Sequence, residues 1–128
     1  MRTLFTTAFL CLSAGLSYSQ IVIIDKVEVL NQNFEEAIFY YQNNWEEARK
    51  IALRKGYISD YSLLINTDST SKEQIYLITK LENEIAYQEM ESNFEKVFKS
   101  MNRDKPKLLN EKTPAAFRKV TNVVLKGL

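Results

Sequence analysis

The chain has 128 residues, 45% of them hydrophobic and 12% aromatic, with 17 basic and 16 acidic side chains. That composition belongs to one globular domain and not to a disordered chain. There is no His and a single Cys, Cys11. His ligands to zinc or haem iron are thereby excluded, and so are thiol nucleophiles, disulfides and Cys zinc sites once Cys11 leaves with the segment described next.

Met1-Arg2 gives a positive start, Leu4 to Leu16 is an apolar run, and Ser17 and Ser19 put small residues at the minus-three and minus-one positions before Gln20. The arrangement predicts a signal peptide over residues 1–19 and an exported protein of the periplasm or extracellular space. The run is too short to span a bilayer. A lipoprotein acylated at Cys11 is disfavoured by Leu10, which stands where a small residue is wanted. The predicted mature part, 20–128, is a single domain whose tail from about 102 is basic. Residues 20–95 carry 7 basic and 14 acidic side chains, and 96–128 carry 9 and 2. The tail is expected to neutralise the acidic helices beside it, with contact to an anionic membrane surface as the alternative.

Gln20 to Leu30, dense in Val and Ile, predicts a strand. Asn33 is placed to cap a helix, with Glu36 as the capping-box acid. Phe34, Ile38, Tyr41, Trp45, Ala48 and Ala52 then follow at spacings of three and four, one apolar stripe along a helix of about six turns. Glu46 and Lys50 are spaced for an ion pair on its wet side. Gly56 supplies the left-handed residue that ends it. Tyr57 to Ile65 and Gln74 to Leu81 predict two strands joined by the polar loop Asn66 to Glu73, an antiparallel hairpin. Asn83 caps the next helix, whose stripe is Tyr87, Met90, Phe94, Val97 and Met101, with Glu95 and Lys99 paired. Thr113-Pro114 starts a short helix, and "KVTNVVLKGL" predicts a last strand.

The order strand, helix, strand, strand, helix, strand is the α+β ferredoxin-like βαββαβ arrangement, a four-stranded antiparallel sheet with two helices on one face. The other face is left with Tyr, Leu and Ile side chains, so a homodimer formed through the sheet faces is expected. "NNWEEARKIALRKGYISDYSLLIN", "YLITKLENE" and "MESNFEKVFK" resemble the dimeric α/β-barrel superfamily over about Ile21 to Met101. The likeness is nearest to its small exported bacterial members of uncharacterised function. The superfamily also contains antibiotic-biosynthesis-monooxygenase-like and haem-degrading proteins, and the His ligand used by haem-degrading members has no counterpart here.

Trp45, Arg49 and Tyr41 lie within about two turns of one helix, a pattern that suits core packing with a snorkelling cation better than the lining of a cleft. Tyr57, Tyr61 and Tyr76 suit a dimer interface better than a ligand site. "NTDST" begins like a calcium loop, but Ser71 stands where glycine is needed and Leu77 where the closing glutamate is needed. Glu35-Glu36 and Glu46-Glu47 point in different directions on a helix and form no acid–base dyad. Export and the missing stacking motif argue against nucleic acid. No catalytic residue, metal site or cofactor is assigned. Two functions follow. The first is a non-enzymatic binding or structural protein of the bacterial envelope holding a small apolar ligand. The second is a cofactor-free monooxygenase-like enzyme acting on a phenolic or polycyclic substrate, with Trp45 stacking, Arg49 meeting an anionic intermediate and Tyr61 hydrogen bonding. The missing His, Cys, metal spacing and phosphate loop favour the first.

Overall fold

The computed structural model describes residues 19–66, 68 and 73–128; the segment expected to be a signal peptide and most of the hairpin loop lie outside them. The elements run β1 (Ile21–Val29), α1 (Phe34–Tyr40), a π-helical turn (Tyr41–Trp45), α2 (Glu46–Arg54), β2 (Asp60–Asn66), β3 (Gln74–Leu81), α3 (Glu84–Gln88), α4 (Met90–Ser100), α5 (Pro114–Phe117) and β4 (Arg118–Lys126). The strands form one antiparallel sheet in the order β2-β3-β1-β4. This is the ferredoxin-like arrangement, with β1 and β3 in the middle because β1 and the hairpin pair across two helical crossovers.

Pleat parity sorts the sheet into two faces. Ile21, Ile23 and Val27 of β1 and Ile75, Leu77 and Leu81 of β3 are buried under the helices. They form two clusters. One packs Ile21, Ile23 and Leu81 against Ala48, Ala52, Phe94 and Val97. The other packs Val27, Ile75 and Leu77 against Ala37, Tyr41 and Phe117. Three polar residues interrupt the helix-facing rows between them: Thr79 on β3, Asp25 on β1 and its register partner Asn122 on β4, whose amide donates to the Asp25 carboxylate. Asp25 is the one acid in the inward row of a central strand, and the site described below lies at this level.

The ends of the helices follow local chemistry. Gly56 adopts φ +73° after α2. The Gly56 amide donates to the Leu53 carbonyl at 3.1 Å and the Tyr57 amide to Ala52 at 2.9 Å, the paired bonds of a Schellman stop. The Asn83 side chain accepts from the Ala86 amide at 2.9 Å and caps α3. Asn33 does not cap with its side chain. It donates instead to the Ala116 carbonyl at 3.1 Å, tying the start of α1 to α5. Glu95 pairs with Lys99 at 2.9 Å. Glu46 and Lys50 form no ion pair among the described residues.

Residues beyond α4 return across the helices before β4 completes the sheet edge. Several of their cations meet acids of the preceding elements: Arg103 and Lys107 reach Glu47 at 2.9 and 3.2 Å, and Lys126 reaches Glu84 at 2.9 Å. Three of the seven cations beyond α4 are thus paired with acids of the earlier elements. No helix among the described residues is long and apolar enough to cross a membrane.

Candidate functional site

A cavity of about 370 Å³ is enclosed by the π turn and the start of α2, the end of α4, the segment 103–106 and the start of β4. That volume lies within the range of small-molecule sites. Four aromatic side chains, Tyr40, Tyr41, Trp45 and Phe98, line it with Met101, beside a group of charged residues.

The π turn aims this aromatic wall. The Glu46 amide bonds the Tyr41 carbonyl, five residues back, so the chain turns more slowly here than in an α-helix. Single π turns of this kind gather at functional sites. Carbonyls at the entry to the wider turn are met by side chains: Asn43 donates to the Phe39 carbonyl and Asn44 to Tyr40, both at 2.8 Å. Asn is a poor mid-helix residue because its amide competes for backbone groups in this way. Tyr40, Tyr41, Asn44 and Trp45 all face the cavity as a result.

Arg49 supplies its charge. The guanidinium lies 4.5 Å from the Trp45 ring centroid and 4.3 Å from that of Phe94, a stacked position that suits its planar, weakly hydrated cation. Its Nε donates to Thr79 Oγ1 at 3.3 Å. Burial lowers its pKa to about 10, with Asp25 pulling the other way, so it remains cationic at neutral pH. Among the described residues no carboxylate is within ion-pair distance of it.

Tyr41, 2% exposed, accepts a hydrogen bond from Arg118 Nη1 at 3.2 Å. Burial raises its pKa against the opposing pull of Arg118, keeping the phenol protonated. The Trp45 indole N–H is buried with no acceptor among the described residues, and its ring meets Tyr61 edge-on, 6.0 Å between centroids.

The outer wall is a strap. Asn44 clasps the Lys107 backbone twice at 2.8 Å, donating to its carbonyl and accepting from its amide. Arg103 donates to the Asn43 carbonyl at 3.0 Å. Glu47 holds both Arg103 and Lys107. Burial is the largest single influence and opposes its ionisation, yet hydrogen bonds and charge from Lys107 and Arg103 together prevail and hold it below the usual carboxylate range.

The structure brings Trp45, Arg49 and Tyr41 to one cavity, where helical period had put them on adjoining turns. Tyr61 is on the far side of the Trp45 ring and lines a separate open hollow at the sheet edge with Gln42, Glu46 and Leu64. The three tyrosines expected at an interface are divided. Tyr57 and Tyr61 pack against the helix-side core, and only Tyr76 is on the outer face, its hydroxyl donating to Gln74 Oε1 at 3.1 Å. Pleat parity separates Tyr61 from Tyr76. Tyr40, Asn44, Arg103, Lys105 and Arg118 were missed. The "QNN" run inside an apolar stripe was the one local signal for the π turn. The calcium-like loop falls largely outside the described residues. Among those described, no group of three or more His, Cys, Asp or Glu side chains is placed to hold a metal.

No protein-family model matches the chain, and no curated protein matches it. Among solved structures it is similar to a candidate antibiotic biosynthesis monooxygenase from Bacillus cereus, with TM-score 0.50 and 15% identity over 85% of this chain and 91% of that one. At that identity the likeness shows the fold alone, the ferredoxin-like one. This likeness overturns the expectation of a non-enzymatic binding or structural protein. That expectation rested on missing His, Cys, metal spacing and phosphate loop, and the neighbour sharing the fold is described as a monooxygenase.

Proposed function

We propose that the protein is a monooxygenase-like enzyme that oxidises a phenolic or polycyclic substrate without a bound cofactor. The observation that carries this reading is the cavity of about 370 Å³ lined by Trp45 and two tyrosines, with the stacked Arg49, which has no carboxylate partner among the described residues, on its lining. The description of the Bacillus cereus neighbour supports it at the level of fold. A planar phenol fits between the aromatic walls, and Arg49 stabilises its phenolate electrostatically. The electron-rich ring then reacts with dioxygen. In the keto tautomer of this phenol the ring CH2 gives up two hydrogens and takes one oxygen atom as a carbonyl, while the other oxygen leaves as water. The reductant is the substrate itself.

The same reading includes export and dimerisation. The Arg2, Leu4 to Leu16, Ser17 to Ser19 pattern supports export, and intact-mass analysis should then find a mature chain starting near Gln20. The uncovered outer face of the sheet supports a dimer: Leu64, Val123 and Leu125 are 53%, 45% and 50% exposed there, beside Ile24 and Ile78 in register.

Oxygen uptake with a panel of naphthols and dihydroxyanthracenes tests the activity. Uptake that depends on folded protein and falls at least about tenfold in Trp45→Ala is the expected result. Tight binding of these compounds with no oxygen consumed would reject it.

A further inference from the structure

We infer that the ligand of this cavity carries a carboxylate in addition to its phenol, so that the substrate class is an aromatic hydroxy acid. The inference rests on the cavity being the substrate site and adds what the rest of its lining requires. The lining contains four cations, Arg49, Arg103, Lys105 and Arg118, and one acid, Asp104. Arg103 is neutralised by Glu47 at 2.9 Å. The other three cations have no carboxylate within ion-pair distance among the described residues.

Arg118 is the informative one. It is only partly exposed, its Nη1 donates to the neutral Tyr41 hydroxyl at 3.2 Å, and its guanidinium lies 5.5 Å from the Tyr40 ring centroid. These contacts hold it in place without neutralising it. Ion pairs form elsewhere, as in Asp60–Lys80 and Glu84–Lys126, whereas this lining gathers three cations unpaired among the described residues against one acid, Asp104. A cation partly withdrawn from water and left without an anion is unfavourable, and a ligand anion removes that penalty. One phenolate at Arg49 leaves Arg118 and Lys105 unmatched. A carboxylate suits the planar fork of Arg118, and Lys105, exposed on the strap, adds a flexible charge at the mouth. The aromatic walls require a ring as the body of the ligand and disfavour a small inorganic anion.

Calorimetric titration of the full mature protein with 2-naphthol and with 3-hydroxy-2-naphthoate separates the outcomes. The acid is expected to bind at least about tenfold more tightly. Lys105→Gln, which alters an exposed side chain, should lose part of that difference, and Lys105→Gln with Arg118→Gln should lose nearly all of it. Added salt should narrow the gap between the two ligands. Equal affinities for acid and naphthol would overturn the carboxylate inference while leaving the phenol site standing. Binding of neither would remove both. Equal gains from inorganic phosphate or acetate would show an unspecific anion site and overturn the assignment to an aromatic acid.

Discussion

Arg49 sets the electrostatics of the cavity because two aromatic faces hold it and, among the described residues, no carboxylate pairs with it. Its pKa, lowered to about 10 by burial, still lies well above neutrality, so it stays charged while a phenol ionises beside it. A naphthol bound in the cavity should therefore ionise at lower pH than in water, since the nearby cation favours the anion. Arg49→Met should cancel that shift and weaken phenolate binding by about tenfold or more, as read from absorbance titration of the bound chromophore. An unshifted ligand in the native protein would place Arg49 outside the site. Trp45, Arg49 and Tyr41 were legible because helical period alone puts them on adjoining turns. Arg118 and Lys105 were not, since they reach the cavity only through a long return of the chain that no local pattern encodes. Tyr61 was half legible: its strand was evident, but which row of that strand meets the helices depends on register.

At the scale of elements, the π turn and the strap shape the cavity. Deleting Gln42, an exposed residue of the turn, should let α1 run into α2 as one α-helix. The variant is expected to keep native far-ultraviolet dichroism and lose naphthol binding by about a hundredfold, because Trp45 and Asn44 rotate away from the cavity. Retained affinity would mean that the turn does not aim the site. The strap is latched by Glu47, whose pKa is lower in the folded protein. The stability this adds is present above the ordinary carboxylate value and is lost as pH falls through the folded value. The protection of residues 102–107, taken against the intrinsic exchange rate at each pH, should therefore fall several-fold in acid, and Glu47→Gln should produce the same loss at neutral pH. The helices themselves were readable from apolar spacing and from Gly56 and Asn83. The latch was not, because Glu47 sits on what reads as a solvent face until the chain returns to it.

For the whole molecule, the order of elements was enough to give the ferredoxin-like topology, since two adjacent strands between two amphipathic helices leave few alternatives. The opposite face of the sheet carries the proposed dimer. Ile24→Lys with Val123→Glu should convert a dimer into a monomer in light scattering at micromolar concentration, with the helix-side core intact. A native protein that is already monomeric would contradict it. The enzymatic reading joins all three scales: a buried cation, a helix turn that aims aromatics at it, and a fold that encloses them. Its most direct test is turnover of a substrate that consumes oxygen with the mature protein under ¹⁸O₂, followed by mass spectrometry of the product. One ¹⁸O atom per product molecule, formed at least about tenfold more slowly by Trp45→Ala, is the predicted result. Product without the label, or labelled product formed equally fast by the variant, would contradict it.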